Sequence, residues 1–384
     1  MSPIFQEVAI SSYRGLQNIC LTDLKQANIL VGNNNSGKTS ILEVISILCN
    51  PINPLTWIDL SQRRVSTIPL RRGFLIRPDF EAIEWMFPRF DESLAPESKG
   101  IIAIRGKSSK LTSEIKVLGQ FDTIQGSGNP NIDEKQDDNT PEDIDPIQEG
   151  VELNISTSPP WPIEQLNLFD ENPDIPDTTE VNFQFWQNER FVYRSKSSKY
   201  FESLMISPSY LGEEQIVRKL STIIRRDESQ KEDLIKLIQL FDENILDFQV
   251  LLGQYQAKLY LKHRVLGLTP LYIFGDGIKR VLGIAMNVLT LRNGGVLLID
   301  EIETSIHKSI LGDAFRWLLK LCTVNKIQLF ITTHSLEAVD AILGASDSVD
   351  DLAAFRLKSQ QESPQRFTGD LLQRLRFDRG LDMR

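Results

Sequence analysis

Apolar and polar positions at the start of the chain follow a strand pattern that gives way to a helical one. Apolar segments that predict strands lie at residues 8–10, 19–21 and 27–31. The apolar positions of 39–48 then recur at helical spacing and predict a helix. Pro51 and Pro54 are predicted to end this unit, because proline inside a helix removes a hydrogen bond and clashes with the preceding turn.

A similar alternation of strands and helices returns after residue 274. Strands are predicted at 296–299, 327–332 and 352–357, and helices at 277–291, 309–322 and 369–376. The segment 296–299 is apolar at every position, which is typical of a strand buried on both faces of a parallel sheet. Both ends of the chain therefore predict an α/β fold with a mixed central sheet.

The middle of the chain has short alternating segments separated by turn residues. Strands are predicted at 101–104, 115–117, 151–155 and 181–185. The acidic stretch 133–149 has few large apolar residues and is expected to be a solvated or disordered loop. Apolar positions at helical spacing within 213–247 predict two helices, parted by a polar turn near 226–231.

These patterns predict one α/β domain that is split along the chain. Its two parts are residues 1–55 and 262–384, and residues 56–261 form an insertion. The β-rich part of the insertion is expected to carry an acidic loop near 126–150, and its helical part lies near 213–247.

Length and composition narrow the class of protein. A chain of 384 residues is long enough to bury a full core. No apolar run approaches the roughly 20 residues that span a bilayer, and no signal-peptide pattern opens the chain, so we expect a cytoplasmic protein without membrane association. Cys20, Cys49 and Cys322 lack C-x-x-C spacing and the histidines lack metal-ligand spacing, which argues against disulfide or zinc sites.

A net charge of −10 disfavours unselective nucleic-acid binding over the whole surface. A local basic stretch lies between Asp59 and Asp79 and contains Arg63, Arg64, Arg71, Arg72 and Arg77. Two interpretations stay open. The arginines contact a nucleic-acid backbone or a protein partner, or they are solvated strand edges, which is the more common case.

Residues 32–39 match the phosphate-loop pattern G-x-x-x-x-G-K-[ST] without a mismatch, between a predicted strand and a predicted helix. The glycines let backbone N–H groups and the helix N-terminus face a phosphate. Lys38 would then supply charge to the β- and γ-phosphates, and Thr39 a hydroxyl to Mg²⁺. The alternative is a glycine-rich turn that matches the pattern by chance. Such a match is uncommon, and more so between a predicted strand and a predicted helix. The predicted nucleotide-binding residues are Gly32, Asn33, Asn34, Asn35, Ser36, Gly37, Lys38, Thr39 and Ser40.

Two further predicted strands end in polar residues that are candidates for catalysis. They are expected at the edge where open α/β sheets bind ligands. The first ends in Asp300, which can hold Mg²⁺ through water, and Glu301, which can orient or deprotonate an attacking water. The alternative is a buried strand that merely ends in exposed acids. The second strand ends at His334, about 30 residues later, where it suits a sensor of the γ-phosphate, although a lone histidine after a strand is more often structural.

Residues 274–280 form a glycine-bearing turn that opens the helix predicted at 277–291. A helix N-terminus favours an anion. Taken alone the signal is weak, because most such sequences are only turns.

In this order and at these separations, the four motifs resemble the ATPase heads of the ABC superfamily, on the branch that holds RecF, SMC-type and OLD-type proteins. The segments ISSYRGL at 10–16 and NILVG at 28–32 also resemble that branch rather than the membrane transporters. The resemblance covers the first 50 residues and about the last 120. The middle of the chain carries no motif of the family.

The resemblance implies roles for further residues. Gly275, Asp276 and Gly277 stand at the signature position, which in the family contacts the γ-phosphate bound to the other protomer. Gly275 replaces the usual serine, so a hydroxyl contact is missing and turnover is expected to be slow or stimulated by a partner. Ser305 is the expected D-loop residue at the dimer interface, and Gln62 is the candidate Q-loop glutamine.

The resemblance also implies cofactors and partners. ATP and Mg²⁺ would bind in two composite sites of a homodimer, or of a higher oligomer, with Lys38, Glu301 and His334 as catalytic residues. Only 50 residues follow His334, too few for a Toprim nuclease domain, so a separate effector such as a nuclease is expected, in antiviral defence. Two other interpretations stay open: a DNA-repair ATPase that binds DNA through its insertion, and an ATP-dependent scaffold with negligible turnover.

Overall fold

The computed structural model describes residues 2–64, 78–89, 100–111, 114–126, 148–158, 178–186, 199–208, 213–226, 229–252, 257–291, 294–358 and 363–382. Its strands are β1 (Phe5–Tyr13), β2 (Leu16–Leu21), β3 (Ala27–Gly32), β4 (Ile102–Ser108), β5 (Ile115–Gly126), β6 (Gln148–Ser158), β7 (Thr179–Trp186), β8 (Ser203–Ile206), β9 (Ile245–Leu252), β10 (Ala257–His263), β11 (Gly267–Pro270), β12 (Gly295–Ile299), β13 (Ile327–Thr333), β14 (Leu352–Leu357) and β15 (Gln365–Thr368). Its helices are α1 (Lys38–Cys49), α2 (Pro54–Gln62), α3 (Phe80–Glu84), α4 (Glu213–Arg226), α5 (Ser229–Gln239), α6 (Asp276–Thr290), α7 (Lys308–Val324), α8 (Leu336–Ala345) and α9 (Gly369–Gln373).

A mixed sheet forms the centre of the fold, with strand order β15-β14-β3-β13-β12-β8. All its strands are parallel except β15, which pairs with β14 in the antiparallel direction. The carboxyl ends of β3, β13 and β12 therefore meet at one edge, and each of these strands carries a predicted motif. The predicted α/β fold with a mixed central sheet is confirmed.

The central sheet is buried on both faces, and the period of two along each strand decides which residues face which layer. Ile29 and Val31 lie in a core with α6, α7 and α8, whereas Leu30 lies in a core with α1 and the second sheet. The same division separates Leu297 from Leu298 on β12. Burial on both faces explains why these strands are almost continuously apolar.

The second sheet is antiparallel, with strand order β2-β1-β4-β5-β6-β7. In this sheet β4, from the middle of the chain, pairs with β1. In the central sheet β8, also from the middle of the chain, pairs with β12. Strands from 56–261 thus extend sheets that the flanking segments begin. The acidic stretch of 133–149, apart from its last two residues, and Arg71, Arg72 and Arg77 lie outside the described residues.

A third sheet, with strand order β11-β10-β9, packs with α4, α5 and α6 against the other face of the central sheet. The two helices predicted within 213–247 are present as α4 and α5, but the second ends at Gln239 and is followed by β9. Sequence patterns also missed β8, β10 and β11.

Helix α1 ends at Cys49, just before Pro51, as predicted, whereas Pro54 begins the next helix. Pro54 is the first residue of α2, where its missing N–H costs nothing, and the side chain of Asn53 caps this helix by accepting the Leu55 N–H at 3.0 Å. In the part of the chain that the structure describes, no helix is long and apolar enough to cross a membrane.

Candidate functional site

The loop between β3 and α1 is shaped by two glycines at positions that exclude a side chain. Gly37 has φ +89°, and a Cβ there would lie 2.5 Å from Leu16 Cδ2. At Gly32, a Cβ would lie 2.5 Å from the carbonyl oxygen of Leu357. The loop is therefore held between the β1–β2 turn and the end of β14. Its curled backbone leads directly into the N-terminus of α1.

Two polar side chains of this loop are placed for a ligand. Lys38 is buried, and its Nζ donates to the carbonyl oxygens of Gly32 and Asn33 at 2.8 and 2.7 Å. Burial lowers the pKa of Lys38, partly offset by nearby acids. Ser36 Oγ is buried and has no hydrogen-bond partner among the described residues. An orphaned hydroxyl beside a buried ammonium fits a loop that accepts phosphate oxygens.

Asp300 follows β12 and lies directly against the start of α1. Thr39 Oγ1 is 3.1 and 3.0 Å from its two carboxylate oxygens. Thr332 Oγ1, at the end of β13, donates to Asp300 Oδ1 at 2.6 Å and accepts the Glu301 N–H at 2.8 Å. Burial raises the pKa of Asp300, although these hydroxyls oppose the change. The sequence analysis missed Thr332, since a threonine inside an apolar strand carries no motif.

Glu301 occupies the left-handed region with φ +45°, which is unfavourable for a residue with a side chain. Its Oε2 accepts from Thr304 Oγ1 at 3.3 Å. The turn that it opens continues to Ser305, which also has a positive φ of 65°. Strained residues of this kind persist only where the surrounding contacts determine the backbone.

His334 lies beside this turn and is held by a glutamate that the sequence analysis did not assign. Glu303 Oε1 accepts the His334 backbone N–H at 2.9 Å and lies 3.0 Å from its Nδ1. About half of the histidine side chain is exposed, at 52%, so Nε2 remains available to a ligand. Glu303 Oε2 is buried without a partner among the described residues. The paired acids, the loop and His334 thus lie along one sheet edge.

The turn at Gly275 begins α6 and is exposed. The N-cap residue Gly275 supplies no side-chain hydrogen bond, so the first N–H groups of the helix lack a side-chain cap. A Cβ at Gly277 would lie 2.7 Å from the carbonyl oxygen of Ser305. The structure therefore brings the expected signature turn and the expected D-loop residue into contact within one chain.

A buried carboxylate behind the phosphate loop is a further feature that no motif predicted. Glu43 of α1 is 1% exposed and accepts from Tyr13 Oη, Arg14 Nε and Arg64 Nε at 2.9, 2.7 and 3.0 Å. Burial, with Glu43 as the next cause, raises the pKa of Tyr13. Arg64 Nη2 also donates to Ser40 Oγ at 3.0 Å. The end of α2, where Gln62 lies, is thereby fixed against α1; the Q-loop role of Gln62 stays a prediction.

Comparison with known proteins gives a consistent picture. A family model described as "AAA domain, putative AbiEii toxin, Type IV TA system" matches residues 27–340, from β3 to α8. An "ATP/GTP phosphatase" of Helicobacter pylori is 25% identical over an alignment of 392 positions, which covers 96% of this chain and 97% of that protein. The uncharacterized protein MJECL11 of Methanocaldococcus jannaschii is 44% identical over 69 residues, 18% of this chain and 60% of that protein.

Two solved structures are similar over nearly the whole chain. The SMC head domain from Thermotoga maritima is 13% identical, with a TM-score of 0.41 and coverage of 95% of this chain and 98% of that one. An SMC head bound to the C-winged helix domain of ScpA is 9% identical, with a TM-score of 0.46 and the same coverage.

Proposed function

The chain belongs to this AAA-domain family and is an ABC-type P-loop ATPase, and from this premise we propose that two copies clamp MgATP between them and reopen on hydrolysis. The observation that carries the proposal is the contact of Thr39 Oγ1 with both carboxylate oxygens of Asp300, at 3.1 and 3.0 Å. It supports a site in which the phosphate loop and the acidic strand end act on one ligand. The 25% identical relative named "ATP/GTP phosphatase" supports hydrolysis.

Thr39 and Asp300 are the residues that would hold Mg²⁺. A hydroxyl and a carboxylate are hard oxygen donors of the kind that Mg²⁺ prefers, and it commonly completes its shell with phosphate and water. Such a small protein contribution agrees with the absence, among the described residues, of any group of three His, Cys, Asp or Glu side chains that could hold a metal ion. When bound, the ion would offset negative charge on the phosphate oxygens.

Lys38 and Ser36 are the side chains that would contact the phosphates. Lys38 Nζ now donates to two loop carbonyls, and phosphate oxygens would be stronger, charged acceptors for the same protons. Ser36 Oγ would gain the partner that it lacks among the described residues. The backbone of residues 32–40 and the N-terminus of α1 would complete the cradle.

Glu301 is proposed to orient or deprotonate the attacking water, and His334 to sense the γ-phosphate through Nε2. The fixed position of Glu301 after β12 and the contact of His334 Nδ1 with Glu303 support these roles. The histidine is oriented through one ring nitrogen, which leaves the other free to bind.

Gly275, Asp276, Gly277 and Ser305 are proposed to meet the nucleotide and the D-loop of the second copy. The exposed and uncapped start of α6 supports an anion there, because a helix N-terminus carries partial positive charge. Without a serine hydroxyl at Gly275, binding in trans would rely on backbone N–H groups. Slow or partner-stimulated turnover follows from this loss.

The biological role is proposed to be defence against phages, with a separate effector such as a nuclease acting when the clamp closes. This part rests on the resemblance of the motifs to RecF, SMC-type and OLD-type heads. Homodimers, or higher oligomers built from them, would present two composite sites to the effector.

Hydrolysis is tested by steady-state phosphate release from the parent protein and from Lys38→Ala. We expect the parent to release phosphate at a rate that requires Mg²⁺, and Lys38→Ala to fall at least about 100-fold. Lys320→Ala, an exposed lysine on α7, serves as the control and should match the parent. If the rate of phosphate release by the parent never exceeds that of Lys38→Ala, with or without an extract of the source cells that could supply a partner, the chain is a nucleotide-dependent scaffold rather than an ATPase.

A further inference from the structure

The side chain of Arg280 links the signature turn to the backbone that carries Glu301. Arg280 lies one turn into α6 and is 3% exposed. Its Nη2 donates to the carbonyl oxygens of Asp300 and Glu301 at 2.8 and 3.4 Å, and Nη1 to that of Ser207 at 2.7 Å. One guanidinium therefore joins α6 to the ends of both β12 and β8.

This arrangement is unusual for a purely structural arginine. A buried cation is normally paired with a carboxylate, but the hydrogen bonds of Arg280 within the described residues go to the main-chain carbonyls of Ser207, Asp300 and Glu301. Burial lowers the pKa of Arg280 to about 10, with partial compensation from Asp300, Glu301 and Glu303. Its Nε is buried without a partner among the described residues. Burial of this charge without a paired carboxylate is electrostatically unfavourable, and the hydrogen bonds to the backbone at residues 207, 300 and 301 offset part of it.

The two peptide units on either side of Glu301 are the ones that Arg280 Nη2 contacts. The carbonyls of residues 300 and 301 set the planes that flank its Cα, and that residue is held at φ +45°. From the opposite side, Thr332 Oγ1 accepts the Glu301 N–H at 2.8 Å. Arg280 and Thr332 together hold a conformation that the isolated backbone would leave.

The first turn of α6 also presses directly on the turn that follows Glu301. A Cβ at Gly277 would lie 2.7 Å from the Ser305 carbonyl oxygen and 3.0 Å from the ring of Phe241. A displacement of the helix start cannot be absorbed by empty space there. It must pass to the 301–305 turn, to Phe241 or to Arg280.

We propose that Arg280 is a positioning residue that makes the placement of Glu301 depend on engagement of the signature turn by the second copy. The proposal rests on the proposed function, since it assumes that the signature turn meets a nucleotide in trans. When the second copy engages the start of α6, the helix shifts, and Arg280 shifts the Asp300 and Glu301 carbonyls with it. This shift places Glu301 to activate the attacking water. In a subunit without its partner, Arg280 and Thr332 already hold the Glu301 backbone, but hydrolysis is slow because engagement has not yet moved this backbone into the water-activating position.

The test compares Arg280→Lys and Arg280→Gln with Asn287→Ala. Asn287 is a buried polar residue on the same helix, bonded to the carbonyl oxygen of Gly283 at 2.7 Å and remote in sequence from the acidic turn. We expect both Arg280 variants to lower kcat about 10–100-fold, as a misplacement near 1 Å does, with KM changed less than about threefold. Asn287→Ala should keep the parental kcat. A kcat within about twofold of the parent for Arg280→Lys and Arg280→Gln, or an equal loss in Asn287→Ala, overturns the proposal.

A second measurement does not depend on the Arg280 variants, which could fail to fold. Hydrogen exchange of the Glu301→Gln protein is compared with and without MgATP, over peptides covering the start of α6 and residues 298–304. We expect both peptides to gain protection together, and gain in one alone overturns the coupling. If Glu301→Gln forms no ATP-dependent dimer, the proposed function fails; if the dimer forms while the Arg280 variants turn over normally, only the coupling fails.

Discussion

Replacement of Thr332 by valine removes the hydroxyl that joins the two acids. Thr332 is fully buried, and Oγ1 donates to Asp300 Oδ1 at 2.6 Å and accepts the Glu301 N–H at 2.8 Å. A hydrogen bond to a charged group contributes about 1.5–3 kcal/mol, and a buried N–H left without an acceptor costs about 1–3 kcal/mol. Both effects share one hydroxyl, so we expect a loss of about 2–4 kcal/mol in the free energy of unfolding.

The loss is measured by urea unfolding of the nucleotide-free protein, with hydrolysis measured in parallel. Thr269→Val is the matched control, because its hydroxyl reaches carbonyl oxygens only at 3.4 and 3.5 Å, and it should lose less than about 1 kcal/mol. Thr332→Ser keeps the hydroxyl and should recover most of the stability and rate. The reasoning is refuted if Thr332→Val is as stable as Thr269→Val and hydrolyses ATP at the parental rate.

Three further changes test other contacts. Gly37→Ala should weaken ATP binding at least about tenfold in nucleotide titrations, because φ +89° there strains any residue with a Cβ, which would also have to displace Leu16 Cδ2 at 2.5 Å, and parental affinity would contradict the loop geometry. Glu43→Gln should cost about 3 kcal/mol in thermal unfolding, since it leaves the buried Arg14 guanidinium without its carboxylate; an unchanged midpoint would contradict this. Burial raises the pKa of Asp242, but bonds from neighbouring groups outweigh it and lower the pKa, so its charge stabilises the fold above the unfolded pKa. Asp242→Asn should therefore be less stable than the parent near neutral pH, with the difference closing below about pH 4, and a constant difference would show that ionisation is not involved.

The phosphate loop and the central strands were predictable because local rules determine them. Residues 32–39 combine a motif with a strand before and a helix after, and burial on both faces of the sheet makes β12 apolar throughout. The strands and helices predicted from residue 274 onward are present in the predicted order, although α8 and β15 were not predicted, and Glu301 and His334 lie at the ends of neighbouring strands.

The contacts that hold the site could not be predicted from the sequence. Arg280 and Thr332 act through main-chain atoms of segments distant in sequence, and such bonds require no particular residue in the partner. Glu43 accepts from the end of β1 and from the residues that follow α2, which are far apart in sequence, and no spacing rule records such a cluster. The strand β9 was not predicted, because only its first residues fall within the segment 213–247 and a short apolar run satisfies either period.

The clamp is tested most directly by the mass of Glu301→Gln in solution with MgATP, measured by light scattering. The account predicts a shift from the 43.7 kDa monomer to at least twice that mass, reversed when ATP is removed and absent in Lys38→Ala. Exposure of the uncapped α6 start supports closure on a second copy. A Glu301→Gln protein that binds MgATP and stays at the monomer mass would contradict the account.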